Sequence, residues 1–247
     1  MARTATIVAA MVIGSAHAAF GQTPSISRAF VSVNGAYQVA DNDFADAATR
    51  RDNAEDGRLD TTYTVKGGPA LDIAAGAAVW RRLGVGVAVS RFSVSTPTAL
   101  SGSVPHPFFF NRLRPVSADV SGLKREELAV NAQLRGIFPV GTRVQAMVFG
   151  GPSFFQVRQG VVTDFTYSES YPFDDLQFRS ATTTTESVSK IGFNAGADVS
   201  YFFARQLGVG GMVQFSGTTM DLLSAGGDSQ EIKVGGLQAG AGLRIRF

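Results

Sequence analysis

In the last eleven residues of the chain, Leu237 to Phe247, apolar side chains occupy every second position: Leu237, Ala239, Ala241, Leu243, Ile245 and Phe247. Between them lie Gln238, Gly240, Gly242, Arg244 and Arg246. A period of two puts these sets on opposite faces of an extended strand, whereas a helix would scatter both around its circumference. A strand with one apolar and one small or charged face must cover the apolar side. A sandwich core would do so, and so would the hydrocarbon around a membrane barrel. One strand alone does not choose between them.

The same alternation recurs along the chain. Val31, Val33, Gly35, Tyr37 and Val39 share one face of a first strand, and Leu71, Ile73, Ala75, Ala77 and Val79 one face of a second. Further strands follow around Val85 to Val89, Leu128 to Phe138, Val144 to Phe154, Ile191 to Tyr201 and Leu207 to Phe215, so the terminal strand is the eighth. Arg81-Arg82, Pro139 to Thr142 and Ala204 to Gln206 are short enough for tight turns, and Pro152 predicts a bulge or a local loss of pairing inside its strand.

The other connections are long. Residues 41–60 hold seven acids and three arginines without a period, which reads as a solvated loop. Residues 95–122 contain Pro97, Pro105, Pro107 and Pro115 and cannot form a central strand. Residues 161–186 are expected to form a third long loop, and a shorter one lies near Ser224 to Gln230. Long loops and short turns alternate, so in a closed barrel every turn and both ends share one rim. The expected fold is therefore all-β: an eight-stranded antiparallel up-and-down transmembrane β-barrel. On its outer face Phe138, Tyr201 and Phe247 would form one aromatic girdle, with Tyr37, Phe154 and Phe215 a second about ten residues higher.

Residues 1–18 combine Arg3, an apolar run from Ala5 to Ala16 and the small-x-small triplet Ala16-His17-Ala18, the form of a cleaved export signal. The run is shorter than the ~20 residues that a spanning helix needs. Residues 19–247 are then the barrel domain. The chain has no cysteine, which excludes disulfides and thiolate metal sites, and its net charge of +2 gives no reason to expect nucleic acid.

With its eight alternating segments and the ending Leu243-Arg244-Ile245-Arg246-Phe247, the chain resembles the small eight-stranded outer-membrane barrels typified by the OmpA transmembrane domain and OmpX. That resemblance covers residues 28–247. It implies that Leu243, Ile245 and Phe247 form the signal read by the barrel-assembly machinery. It also implies an outer-membrane location and contact with outer-membrane lipid and lipopolysaccharide, and the barrel is expected to be a monomer.

Some small barrels are enzymes, and a hydrolase of that kind needs a histidine able to deprotonate a serine. The one histidine beyond the export signal, His106, lies between two prolines in a loop, so no catalytic residue is assigned and no enzyme activity is expected. Asp41, Asn42, Asp43 and Asp46 lack the glycine and distal glutamate of a calcium loop; no metal or cofactor is expected. By parity Asp72, Glu127, Arg135, Lys190, Asp198 and Arg244 face inward as an ion-paired plug, or alternatively line a narrow pore for small solutes. Phe108, Phe109 and Phe110 would either form a contact surface or fold over the barrel mouth. The function expected is structural or surface-binding, through the extracellular loops.

Overall fold

The computed structural model describes residues 28–223 and 229–247, so the expected export signal and part of the short last loop lie outside the described residues. The chain forms twelve strands in order: β1 (Ala29–Asp41), β2 (Phe44–Asp52), β3 (Glu55–Tyr63), β4 (Lys66–Trp80), β5 (Leu83–Ser95), β6 (Thr98–Pro105), β7 (Leu113–Val120), β8 (Lys124–Val140), β9 (Val144–Glu169), β10 (Leu176–Phe202), β11 (Leu207–Leu223) and β12 (Ser229–Arg246). Eight of them close into a barrel in the order β1-β12-β11-β10-β9-β8-β5-β4. The seam pairs Phe30 with Arg246 and Val39 with Leu237, so β1 lies against the terminal strand along most of its length.

The barrel alternates as the sequence dictates. Val33, Ile73, Val87, Leu134, Val213 and Leu243 point outward and are 40–61% exposed, while Asn34, Asp72, Ala88, Arg135, Gln214 and Arg244 are buried inside. All six girdle aromatics are on the outer face and exposed. From Val144 to Phe154 along β9 is ten residues, ~33 Å of strand and ~25 Å along the axis of a barrel tilted by ~40°. This apolar belt is far larger than the few hundred Å² that a water-soluble monomer exposes, and it has the height of a bilayer core. The fold is a transmembrane-type β-barrel. The three expected turns all lie on one rim, where Arg81 (φ 43°) and Gly141 (φ 78°) supply the left-handed backbone that tight hairpins require.

Pro152 behaves as expected. Ladder pairing between β8 and β9 runs to Asn131–Ser153, lapses at Ala132 and Gln133, and resumes in the same register at Leu134–Gly150.

The long segments are a correction to the sequence reading, because they are strands and not loops. Residues 41–60 supply most of a β2–β3 hairpin, turning at Asn53 and Ala54, both with positive φ. Residues 95–122 supply the β6–β7 hairpin, and the two hairpins join into a separate sheet ordered β2-β3-β6-β7. Its prolines obey the chemistry that suggested a loop: Pro105 ends β6, and Pro115 is in β7, an edge strand that does not need its missing donor. Residues 161–186 continue β9 and β10 well beyond the barrel as one long hairpin.

The second sheet covers these extensions like the upper half of a sandwich. Leu59, Tyr63, Leu100, Val104 and Val116 on its inner face meet Val161, Val162, Phe165, Met220, Leu222, Ile232 and Val234 from the prolonged barrel strands. The molecule thus has a barrel and, on the side opposite the turns, a cap with its own apolar core.

Candidate functional site

Inside the barrel the polar side chains interlock across the lumen. Arg244 on β12 pairs with Asp198 on β10, with Nε 3.1 Å from Oδ2, and its Nη1 donates to Asn34 Oδ1 at 2.5 Å. Asn34 Nδ2 in turn donates to Asp72 Oδ1 at 3.1 Å, and Ser90 Oγ donates to Asp72 Oδ2 at 2.7 Å. Arg135 is held by aromatic faces: its guanidinium lies 4.4 Å from the Phe30 ring centroid and 5.3 Å from that of Phe149, and it donates to Gln133 Oε1.

Nearer the cap, Arg125 Nε pairs with Glu127 Oε1 at 2.6 Å, while Glu127 Oε2 accepts from Gln38 Nε2 at 3.1 Å and from the Gly235 N–H at 3.0 Å. Four of these ions form opposite-charge pairs, Arg244 with Asp198 and Arg125 with Glu127, the condition under which a charge can stay in a low-dielectric interior, while Asp72 is held by neutral donors and Arg135 by rings and Gln133. A cavity of about 10 Å³ among Gln38, Ser90, Glu127 and Gln238 is no larger than a single water.

The structure therefore gathers Asp72, Glu127, Arg135, Asp198 and Arg244 in the lumen, but not Lys190. Ladder pairing between β10 and β11 reaches only Phe193–Gly217, although β11 runs on to Leu223 paired with β12, so Lys190 lies on a stretch of β10 with no hydrogen-bonded neighbour on that side. Lys190 is exposed and lies 3.6 Å from Asp221 Oδ2 on the outside. Arg125, which the sequence reading passed over, is fully buried; its signal was its parity with Glu127, two residues along β8.

The cap is tied down by polar groups as well as by its core. Tyr63 stacks on Phe44 with centroids 4.5 Å apart, and its hydroxyl accepts the Val162 N–H at 2.8 Å. Burial pushes the Tyr63 phenol up to about 12, partly offset by that hydrogen bond. Arg50 on β2 reaches across to Asp164 Oδ1 at 2.8 Å and lies over the Phe165 ring at 4.9 Å.

At the distal end the β6–β7 turn leans on the tip of the β9–β10 hairpin. Arg114, buried at the base, donates to Glu169 Oε2 at 2.5 Å, to Phe173 O at 2.8 Å and to Pro105 O at 2.9 Å, joining both hairpins. His106 is also buried; its Nδ1 accepts the Phe108 N–H at 3.1 Å, and its Nε2 lies 3.8 Å from Asp174 Oδ1. Above this base Phe108 (71% exposed), Phe109 (55%), Phe110 (80%) and Tyr171 (86%) stand in solvent. Phe108 packs edge-on against Phe173 at 5.4 Å, and Arg112 lies over Phe109 at 5.4 Å while pairing with Asp174 at 2.7 Å. The three phenylalanines do not fold over the barrel mouth. They form an outward-facing aromatic tip. Leu243, Ile245 and Phe247 lie on the outer wall and turn rim, and the Phe247 backbone closes the seam through its N–H to Ala29 O and its C=O from the Arg28 N–H, both 2.9 Å. Among the described residues no group of three His, Asp or Glu side chains is placed to hold a metal ion.

No family model and no curated protein matches the chain. Among solved structures it is similar to Neisserial surface protein A, at 12% identity over 89% of this chain and 97% of that one, with a TM-score of 0.43. It is also similar to the outer membrane protease OmpT from Escherichia coli (8% identity, 93% and 99% covered, TM-score 0.47). A third is Ail, the attachment invasion locus protein of Yersinia pestis (10% identity, 88% and 99% covered, TM-score 0.35). Likeness at this distance assigns no activity, and the class rests on the closed strand order and the apolar belt.

Proposed function

We propose that the chain is a non-enzymatic outer-membrane protein that holds a binding surface away from the membrane for a macromolecular partner outside the cell. The observation that carries this reading is the aromatic tip: four exposed rings on a base fixed by the buried Arg114 contacts. Rigid exposed aromatics lose little entropy on binding and are the usual anchors of protein interfaces. The interlocked lumen supports a plug more than a pore for small solutes. Lipopolysaccharide and outer-membrane lipid surround the belt in this reading, the barrel is a monomer, and Leu243, Ile245 and Phe247 are the contacts read by the barrel-assembly machinery. The export signal at residues 1–18 directs the chain to that route.

The test uses the full chain in lipid nanodiscs coupled to beads and scored for adhesion to a panel of cell surfaces. The triple variant Phe108→Ser, Phe109→Ser, Phe110→Ser should lose adhesion while its folded barrel still migrates differently on a gel before and after boiling. Adhesion equal to the parent chain would refute the display reading, and stable channels in a planar bilayer that change on neutralising Asp198 would favour a pore.

A further inference from the structure

The turn rim carries a charge pattern that neither the lumen nor the cap explains. Arg28 precedes β1, Arg81 and Arg82 form the β4–β5 turn, Arg143 ends the β8–β9 turn, Arg205 lies in the β10–β11 turn, and Arg246 closes β12. No aspartate or glutamate occurs in any of these turns. The first five arginines are exposed, and among the described residues none of the six forms an ion pair with a carboxylate side chain. Arg246 lies over the Phe202 ring at 3.9 Å and donates to Arg205 O at 2.7 Å, at the mouth of the barrel. The opposite side is different in kind: residues 41–60 alone carry seven acids against three arginines.

The arginines are placed just outside the girdle of Phe138, Tyr201 and Phe247, and Trp80 and Phe203 stand exposed beside them. At the end of an apolar belt this is the depth of lipid phosphates, where aromatic rings and arginine stems both sit comfortably. Guanidinium groups bind phosphate oxygens with paired, directed donors. An acid-free ring of them, present at every turn, has no carboxylate partner among the described residues. We infer that the turn rim is a binding surface for the phosphate headgroups of anionic phospholipids in the leaflet on the turn side. The inference rests on the transmembrane reading of the belt.

Trp80 is the only tryptophan in the chain, it is 66% exposed, and the Arg81 guanidinium lies 5.9 Å from its ring centroid, so its fluorescence reports on this rim. The full chain is reconstituted in vesicles, and quenching by phosphatidylglycerol with brominated acyl chains is compared with quenching by brominated phosphatidylcholine. The expected result is a preference for phosphatidylglycerol on the order of tenfold, from two arginines beside the probe. It should collapse in the double variant Arg81→Gln, Arg82→Gln and at about 1 M salt, where the screening length is ~3 Å. Equal quenching by the two lipids, or a preference unchanged in the double variant, would overturn the inference and leave the barrel reading intact. Absence of quenching by either lipid would overturn the transmembrane reading and the inference with it. Should the double variant fail to fold, the salt series on the parent chain decides, because a preference that survives ~1 M salt is not electrostatic.

Discussion

Removing Asp198 tests whether the lumen is a cross-braced plug. In Asp198→Ala the Arg244 guanidinium, 2% exposed, keeps only Asn34 Oδ1 and its own strand's Leu243 O as acceptors. An ion left buried without its counter-charge costs ~3–5 kcal/mol, whereas replacing both partners by apolar groups of similar size is close to neutral. The double variant Asp198→Ala, Arg244→Leu should therefore recover most of the loss, and a double-mutant cycle isolates the pair term. Lys190–Asp221 is the internal control: it is exposed on both sides at 3.6 Å, so Asp221→Asn should cost less than ~1 kcal/mol. Denaturant titration in lipid of these variants and of Arg244→Leu, followed by Trp80 fluorescence and by the gel shift on boiling, gives the four values. If Asp198→Ala moved the midpoint no further than Asp221→Asn, the lumen would have to be hydrated and the plug would be wrong.

Gly242 is packed so closely at the seam that a Cβ there would lie 1.8 Å from Val33 O, whereas one at Gly35 would meet nothing within 4 Å. Gly242→Ala should block barrel closure, seen as loss of the gel shift, and Gly35→Ala should leave it unchanged. Tyr63 is neutral in the folded cap, with its phenol raised from 10.0 to about 12. Its contribution is complete below pH 10 and fades as pH rises through about 12, so alkaline titration should loosen the cap in that window, and Tyr63→Phe should remove the step from the ultraviolet difference spectrum. The Phe247 side chain is 62% exposed while its backbone closes the seam, so Phe247→Ala, which keeps those hydrogen bonds, should alter refolding in detergent little yet leave the chain in the periplasm; normal membrane insertion of the variant would refute the assembly role.

The barrel was legible because each wall strand separates two solvents, and that contrast writes a period of two from Val31 to Phe247. The cap was not legible in the same way. In β2 and β3 the inward set Leu59, Thr61 and Tyr63 does alternate with Asp60 and Thr62, but the surrounding charges of residues 41–60 mask it, since in water the outer face of a strand has the composition of a loop. The prolines of 95–122 exclude a central strand but not an edge one, and Pro115 sits on an edge. Within the lumen, parity located five of the six expected groups. It missed the exposure of Lys190 because parity gives a side and not how far two neighbouring strands stay paired. Which residue bonds to which, such as Arg135 lying between rings instead of beside a carboxylate, depends on distances across the lumen that no local pattern records.

The apolar core of the cap has a consequence for how the protein crosses its membrane. Of its eighteen buried residues nine come from β9 to β12, six from two hairpins inserted between β1 and β4 and between β5 and β8, and Val65, Leu123 and Ala129 from beside them, so no contiguous stretch of chain can form it. It can condense only once these segments have arrived on the far side, and there it becomes too wide to return through a lumen already filled with side chains. In the proposed display role, folding of the cap beyond the membrane would act as a ratchet, because burial of Tyr63, Leu100 and Val116 against Val162 and Met220 makes the last step one-way.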